Sequence, residues 1–249
     1  MRILAIDAGN TRIKWGWFEG QRWVRQSWIA SVETARLAPT LAALPLPDSI
    51  VVSNVAGGGV RKLIAAALEP FRIEPHWIKS EAQRCGVRSS YSDPAQLGSD
   101  RWAALIGAWH RFHGPCAVVN AGTTLTVDAL SGEGLFLGGF IVPGADLMRA
   151  ALARNTAQLE VQEGRFTYFP DCTADAIMSG AINALAGSIE RMLRFMAETG
   201  QIAPLIVLSG GAAAFLEPQL NARVEVVDNL VLEGLVCIAL DRSGEQVNE

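Results

Sequence analysis

The sequence predicts an α/β chain of two related domains facing each other across a cleft, and three observations predict it. The first is Met1 to Lys14, MRILAIDAGNTRIK, an apolar strand that runs into Asp7 and then a tight glycine turn. The second is the same pattern at Val118-Val119-Asn120-Ala121-Gly122-Thr123-Thr124, where aligning Asp7 with Asn120 also aligns Gly9 with Gly122 and Thr11 with Thr124. The third is a later pair, Val51-Val52-Ser53-Asn54-Val55-Ala56-Gly57 and Val207-Leu208-Ser209-Gly210-Gly211-Ala212, each a strand running into small residues. Each half thus has an early hairpin loop and a later strand-glycine loop, and two opposed glycine turns suit a polyphosphate held between them.

The elements follow in order. Ile3 to Ile6 are apolar on both faces, as a central strand requires, and Asp7 ends that strand as a carboxylate that needs a partner. The turn Ala8-Gly9-Asn10-Thr11 tolerates positive φ and presents outward N–H groups to a phosphate, although an ordinary β-hairpin accounts for the same stretch. Arg12 to Phe18 and Gln21 to Ile29 read as returning strands with Gly20 at their turn, and Trp15, Trp17, Trp23 and Trp28 as sheet packing. Ser31 is expected to cap a helix to about Ala43, closed by Pro45 and Pro47. A strand over Ser49 to Val55, a helix over Gly59 to Leu68 and a strand over Glu74 to Lys79 complete the first α/β alternation. Cys116 to Ala121, Thr124 to Ala129 and Leu135 to Val142 read as three strands, and Ala145 to Arg154 as a short helix. Gln158 to Cys172 is an irregular stretch suited to a lid or partner surface. Thr173 then opens a long helix to about Thr199, and Leu205 to Leu208 leads into Gly210-Gly211, which admits a flat group such as a nucleoside.

Composition bounds the function. With 249 residues, half of them apolar, the chain has enough for real cores. A net charge of -4 and only three lysines, Lys14, Lys62 and Lys79, argue against a nucleic-acid partner. The apolar run before Asp7 is too short for a signal peptide and none reaches about 18 residues, so no membrane partner and a cytoplasmic location are expected. Cys85, Cys116, Cys172 and Cys237 have no C-x-x-C spacing and read as free thiols.

Chemistry concentrates at Tyr91 to Arg101, YSDPAQLGSDR, ahead of a helix whose Trp102, Leu105, Ile106, Trp109 and Phe112 share one face. Ser99 is a natural cap. Asp100 complements the helix dipole in the ordinary way, but Arg101 is electrostatically misplaced there unless an anion binds beside it. An adjacent carboxylate and guanidinium divide the work on one substrate, the first taking a proton and the second gripping an acid group. His110 and His113 lack a third ligand and read as surface residues.

No lysine follows a glycine and no G-x-G-x-x-G follows a strand, so P-loop and Rossmann readings fall. The ordered motifs instead resemble the type III pantothenate kinases, within the superfamily of actin, sugar kinases and Hsp70. The resemblance covers nearly the whole chain. It implies two duplicated ribonuclease H-like domains with mixed sheets flanking a cleft, 1–115 and 116–249, the second carrying a dimerisation helix. It implies ATP binding by Asp7, Ala8, Gly9, Asn10, Thr11, Arg12, Ile13 and Lys14, and by Thr123. Gly98-Ser99-Asp100-Arg101 matches the family's G-x-D-R substrate motif with Asp100 as catalytic base. Tyr91 matches a pantothenate-contacting tyrosine, and Thr173 a threonine that reaches substrate from the partner subunit of a homodimer. The implied reaction is ATP-dependent phosphorylation of pantothenate to 4'-phosphopantothenate, the first step of coenzyme A biosynthesis. Asp7 would hold Mg²⁺, with Asp128 a second candidate. Position 120 departs: the family's usual aspartate, which helps hold a monovalent cation such as K⁺ or NH₄⁺, is here Asn120. A same-fold kinase of another small alcohol and a regulatory protein without turnover stay open as alternatives.

Overall fold

The computed structural model describes residues 1–155 and 163–244, and the chain forms two compact units, Met1–His113 with the segment from Asn229, and Gly114–Asp228. In the first unit β1 (Arg2–Ala8), β2 (Arg12–Glu19) and β3 (Arg22–Ala30) make an antiparallel meander. Gly20 and Gln21 turn the second hairpin with φ of 56° and 71°, the positive-φ pair that matches the twist of the flanking strands. After α1 (Leu37–Leu41), β4 (Ser49–Asn54) lies parallel to β1. Then come α2 (Gly57–Leu68) and β5 (His76–Trp77), giving the order β3-β2-β1-β4-β5. A small hairpin, β6 (Gln83–Arg84) and β7 (Val87–Ser89), precedes α3 (Ser99–Phe112). Strand β1 is central, and Ile3 to Ile6 have no exposed surface.

The second unit repeats this plan. It holds β8 (Cys116–Ala121), β9 (Thr124–Leu130), β10 (Leu135–Pro143), α4 (Ala145–Asn155), α5 (Thr173–Glu198), β11 (Leu205–Ser209), α6 (Ala213–Leu216) and β12 (Val224–Val226). Its strands run β12-β11-β8-β9-β10, with β11 parallel to β8 and to β12. Numbered within each unit, both sheets have the order 3-2-1-4-5, the mixed sheet of a ribonuclease H-like domain. One face of the second sheet, including Val119, Leu125, Val127 and Ile206, packs on Ile182, Leu185 and Ile189 of α5. The chain then returns to the first unit as α7 (Leu230–Ser243). That helix is apolar on nearly all sides and crosses α3 where two glycines meet. A Cβ on Gly107 would stand 2.7 Å from the Leu230 carbonyl oxygen, and one on Gly234 would collide with the Ala103 carbonyl.

Several expectations need correction. Ser31 caps no long helix: Ser31–Arg36 is a 3₁₀ turn preceded by Ala30, with no side-chain cap. The strand expected over Glu74 to Lys79 shrinks to His76–Trp77, and the α7 segment joins the first unit rather than staying with residues 116–228. The duplicated turns differ by one residue, since Ala8 pairs with Ile13 whereas Ala121 pairs with Leu125. Counting back from those pairs, Thr11 corresponds to Thr123 rather than Thr124. Part of the irregular stretch expected from Gln158 lies outside the described residues, and 163–172 has neither helix nor strand.

Candidate active site

Asp7 stands at the end of β1, opposite Lys14 on β2 and beside Ser53 on β4. Cross-strand neighbours share a face of the sheet, so the register gathers a carboxylate, an ammonium stem and a hydroxyl at the carboxyl end of the parallel pair. This is where open α/β sheets bind ligands. Asp7 is 9% exposed, and its Oδ1 is buried with no hydrogen-bond partner. Burial first, then the Asp100 carboxylate, push its pKa up to about 7, against a downward pull from Lys14. A buried carboxylate in that condition lacks a cation.

The second carboxylate is delivered by α3. Gly98, not Ser99, occupies the N-cap, and no side chain caps the helix. The Ser99 hydroxyl is instead 2.9 Å from the Ser53 hydroxyl on β4, which ties the first turn of α3 to the strand beside Asp7. Ser80, buried, donates to the Leu97 carbonyl at 2.8 Å and fixes the chain on the other side of Gly98. Asp100 Oδ1 accepts from the Arg101 N–H at 2.9 Å and leans over Gly98, where a Cβ would stand 2.6 Å from that oxygen. Burial raises the Asp100 pKa, while the N–H groups of Arg101 and Asp100 and the Arg101 charge oppose the rise. Arg101 itself is buried. Tyr91 follows β7, half-buried, and its N–H donates to the Ser89 hydroxyl at 3.3 Å.

The loop after Asp7 differs from expectation. None of Gly9, Asn10 or Thr11 has a positive φ, and the Gly9 N–H is used to close the turn on the Arg12 carbonyl at 3.0 Å. Asn10, Thr11 and Arg12 are exposed, and the Arg12 guanidinium stacks on Trp28 at 4.3 Å. Ile13 faces the core. Trp15 and Trp17 are core residues as expected, but Trp28 is 53% exposed.

In the second unit Thr123 is exposed in the β8–β9 turn, and the Thr123 carbonyl accepts from the Gly144 N–H at 2.9 Å. Asn120 is half-buried in a row with Thr126 and Ser209 across three strands. Asp128, buried, sits opposite Val118, two residues further along β9. Gly210 has φ 101°, and a Cβ there would collide with the Ala121 backbone, so packing against β8 already requires that glycine. Thr173 is the exposed first residue of α5, whose N-cap is Cys172, and it lines an apolar groove of about 930 Å³ with Leu147, Met148, Leu152 and Ile177. The four cysteines are free, and His110 and His113 join no cluster of metal-ligating side chains among the described residues. Among the described residues no helix is long and apolar enough to cross a membrane.

The family model for type III pantothenate kinase matches residues 3–194. This chain belongs to the type III pantothenate kinase family. A type III pantothenate kinase of Nitrosospira multiformis is 49% identical over 241 residues, covering 97% of this chain and 92% of that protein. Another, of Aromatoleum aromaticum, is 52% identical and covers 95% of this chain and 97% of that one. Among solved structures, a Sinorhizobium meliloti protein described as a 2-dehydro-3-deoxygalactonokinase superposes with a TM-score of 0.59 at 15% identity, over 96% of this chain and 99% of its own. A Listeria monocytogenes protein described as an N-acetylmannosamine kinase gives 0.56 at 16%, over 98% and 100%. These remote likenesses carry the sugar-kinase fold, while the family match encloses Asp7, Tyr91, Asp100, Arg101, Asn120, Thr123 and Thr173. Sequence reasoning missed Ser31, Ser53 and Ser80 as supports of the pantothenate kinase motifs, because a serine's long-range partner leaves no periodic signal.

Proposed function

We propose that this chain transfers the γ-phosphoryl group of ATP to the primary hydroxyl of pantothenate, giving 4'-phosphopantothenate and ADP in the first step of coenzyme A biosynthesis. The observation that carries the reading is the pair of electrostatically linked carboxylates, Asp7 and Asp100, held by the Ser53–Ser99 contact inside a family-matched segment. Phosphoryl transfer asks mainly for positioning and charge neutralisation. Asp100, its pKa raised by burial, accepts the hydroxyl proton as the alcohol oxygen bonds to the γ-phosphorus and the β–γ bridging oxygen leaves with ADP. Arg101 holds the pantothenate carboxylate, and Tyr91 lies against the substrate. The segment from Asp7 to Lys14 binds the nucleotide phosphates, and Thr123 is assigned a contact to ATP. The orphaned, buried Asp7 Oδ1 fits a divalent cation, so Asp7 is assigned Mg²⁺, with Asp128 a second candidate. When bound, that ion neutralises phosphate charge.

The active form is a homodimer whose substrate site takes Thr173 from the partner. Along the 26-residue α5, Ala176, Gly180, Asn183, Ala184 and Gly187 are exposed, and nothing lies near where a Cβ on either glycine would be. Such a face lets a second helix approach closely. Dependence on K⁺ is weak, because Asn120 offers an oxygen without formal charge. The chain works in the cytoplasm.

The deciding test is ADP release coupled to an indicator reaction, with pantothenate and with a panel of other small alcohols, with and without K⁺ or NH₄⁺. Pantothenate-dependent turnover supports the reading; ATP turnover only with another alcohol overturns it. Light scattering that finds a monomer at micromolar concentration removes the shared site.

A further inference from the structure

We propose that Ser31 is a positioning residue for the nucleotide-binding loop, an inference that rests on the assignment of that loop to ATP. The Ser31 hydroxyl donates to the Gly9 carbonyl at 2.7 Å, and the Ser31 N–H donates to the Thr11 carbonyl at 2.9 Å. One residue therefore holds both carbonyls that flank Asn10. Ser31 is anchored in turn, since the hydroxyl of buried Thr34 donates to its carbonyl at 2.6 Å.

The consequence follows from the planarity of the peptide unit. In a trans peptide the C=O and the next N–H point in opposite directions. Pinning the Gly9 carbonyl to Ser31 therefore aims the Asn10 N–H away from Ser31, out of the loop. Asn10 is exposed, and among the described residues its N–H has no protein acceptor. An outward donor in a turn is what a phosphate oxygen accepts from. Without the Ser31 hydroxyl that plane is free to rotate, and the Gly9 carbonyl loses a partner it keeps when the loop is correctly set. Glycine supplies no side chain to restrain the rotation. The positive-φ turn expected from Gly9-Asn10 is replaced by a loop with ordinary backbone angles, held in shape by a serine 22 residues away.

The test uses the full chain with Ser31→Ala, Ser31→Thr and Thr34→Val. Losing one loop hydrogen bond of about 1.4 kcal/mol is tenfold in an equilibrium constant, so Ser31→Ala is expected to raise the ATP Kd and KM about tenfold. The pantothenate KM stays within twofold, and Ser31→Thr restores ATP binding because it keeps the hydroxyl. Thr34→Val, which releases Ser31 from the other side, gives a selective rise of about threefold and serves if Ser31→Ala does not fold. An ATP Kd within twofold of wild type in Ser31→Ala, or in Thr34→Val where that is the variant measured, overturns the proposal. So does a parallel rise in both KM values that tracks a lowered Tm. The direct ATP titration separates this outcome from the wider reading: wild type that binds ATP but ignores pantothenate refutes the substrate, not the role of Ser31.

Discussion

The buried carboxylate at Asp7 makes a measurable demand on stability. Its pKa stands at about 7 against an ordinary 3.8, and that difference corresponds to about 4 kcal/mol. The sign follows from proton counting. Between pH 4 and 7 the native state keeps a proton that the unfolded chain has released, so stability falls as pH rises through this window and the loss is complete above about pH 7. Asp7→Asn removes the titration. Its amide adds a pH-independent cost from an unsatisfied donor, which cancels when the variant is compared with wild type at two pH values. Roughly half of the 4 kcal/mol is already spent by pH 5.5, so the stability of Asp7→Asn relative to wild type should improve by about 2 kcal/mol between pH 5.5 and 8.

Urea unfolding followed by circular dichroism at the two pH values reads this directly. Mg²⁺ gives a second arm without turnover: at pH 8 it should raise the wild-type unfolding free energy by about 2.7 kcal/mol at a hundredfold excess over Kd, and leave Asp7→Asn unmoved. A variant-to-wild-type difference that is the same at both pH values within about 0.5 kcal/mol refutes the reasoning, because Asp7 would then ionise as an ordinary aspartate.

Asp100→Asn should lower kcat on the order of 10² to 10⁴ while the ATP Kd stays within twofold, since the amide keeps the shape but cannot take the proton; stopped assays with a parallel nucleotide titration check it. Gly98→Ala places a methyl 2.6 Å from Asp100 Oδ1, which must move aside, and should cost at least about tenfold in kcat with little effect on Tm, because a displaced base loses alignment. Gly234→Ala drives a methyl into the Ala103 carbonyl across the α3–α7 crossing; overpacking against backbone costs about 3 kcal/mol, which calorimetry should show as a Tm drop of roughly 6 to 12 °C.

What the sequence makes legible depends on whether the signal is local. The β1–β2 hairpin is visible because apolar residues on both faces mark a central strand and a glycine turn ends it. Asp100 and Arg101 are visible because a cation in the first turn of a helix is out of place. Ser31, Ser53 and Ser80 are not, since their partners Gly9, Ser99 and Leu97 lie 22, 46 and 17 residues away. A serine after a strand reads as a cap whichever carbonyl it finally holds. The return of α7 to the first unit is hidden for another reason. Ten of its fourteen residues are buried, so the helix has no polar face to show which side meets solvent or which core it joins. The one-residue difference between the duplicated turns is equally silent, because Gly-Asn-Thr and Gly-Thr-Thr both make turns and only pairing fixes the register.

The two copies of the hairpin also show how a duplicated motif divides its work. Asp7 bears the full desolvation of a buried carboxylate, tolerated because Lys14 stands opposite and a ligand cation is expected there. At the matching place in the second unit the row Ser209, Asn120 and Thr126 is neutral, and each member can both donate and accept. A second aspartate at position 120 would add another charge to desolvate, with Thr126 rather than a lysine opposite it. The asparagine keeps the side-chain length and one coordinating oxygen while removing that cost. The second loop has the Gly144 N–H on Thr123 and the Ala212 N–H on Ala121; the first has backbone bonds of the same kind, Ser31 N–H on Thr11 and Val55 N–H on Ala8, and adds the Ser31 hydroxyl on Gly9. At the row that pairs with the end of the first strand, the first copy thus carries a carboxylate and a lysine, and the second a neutral asparagine between two hydroxyls.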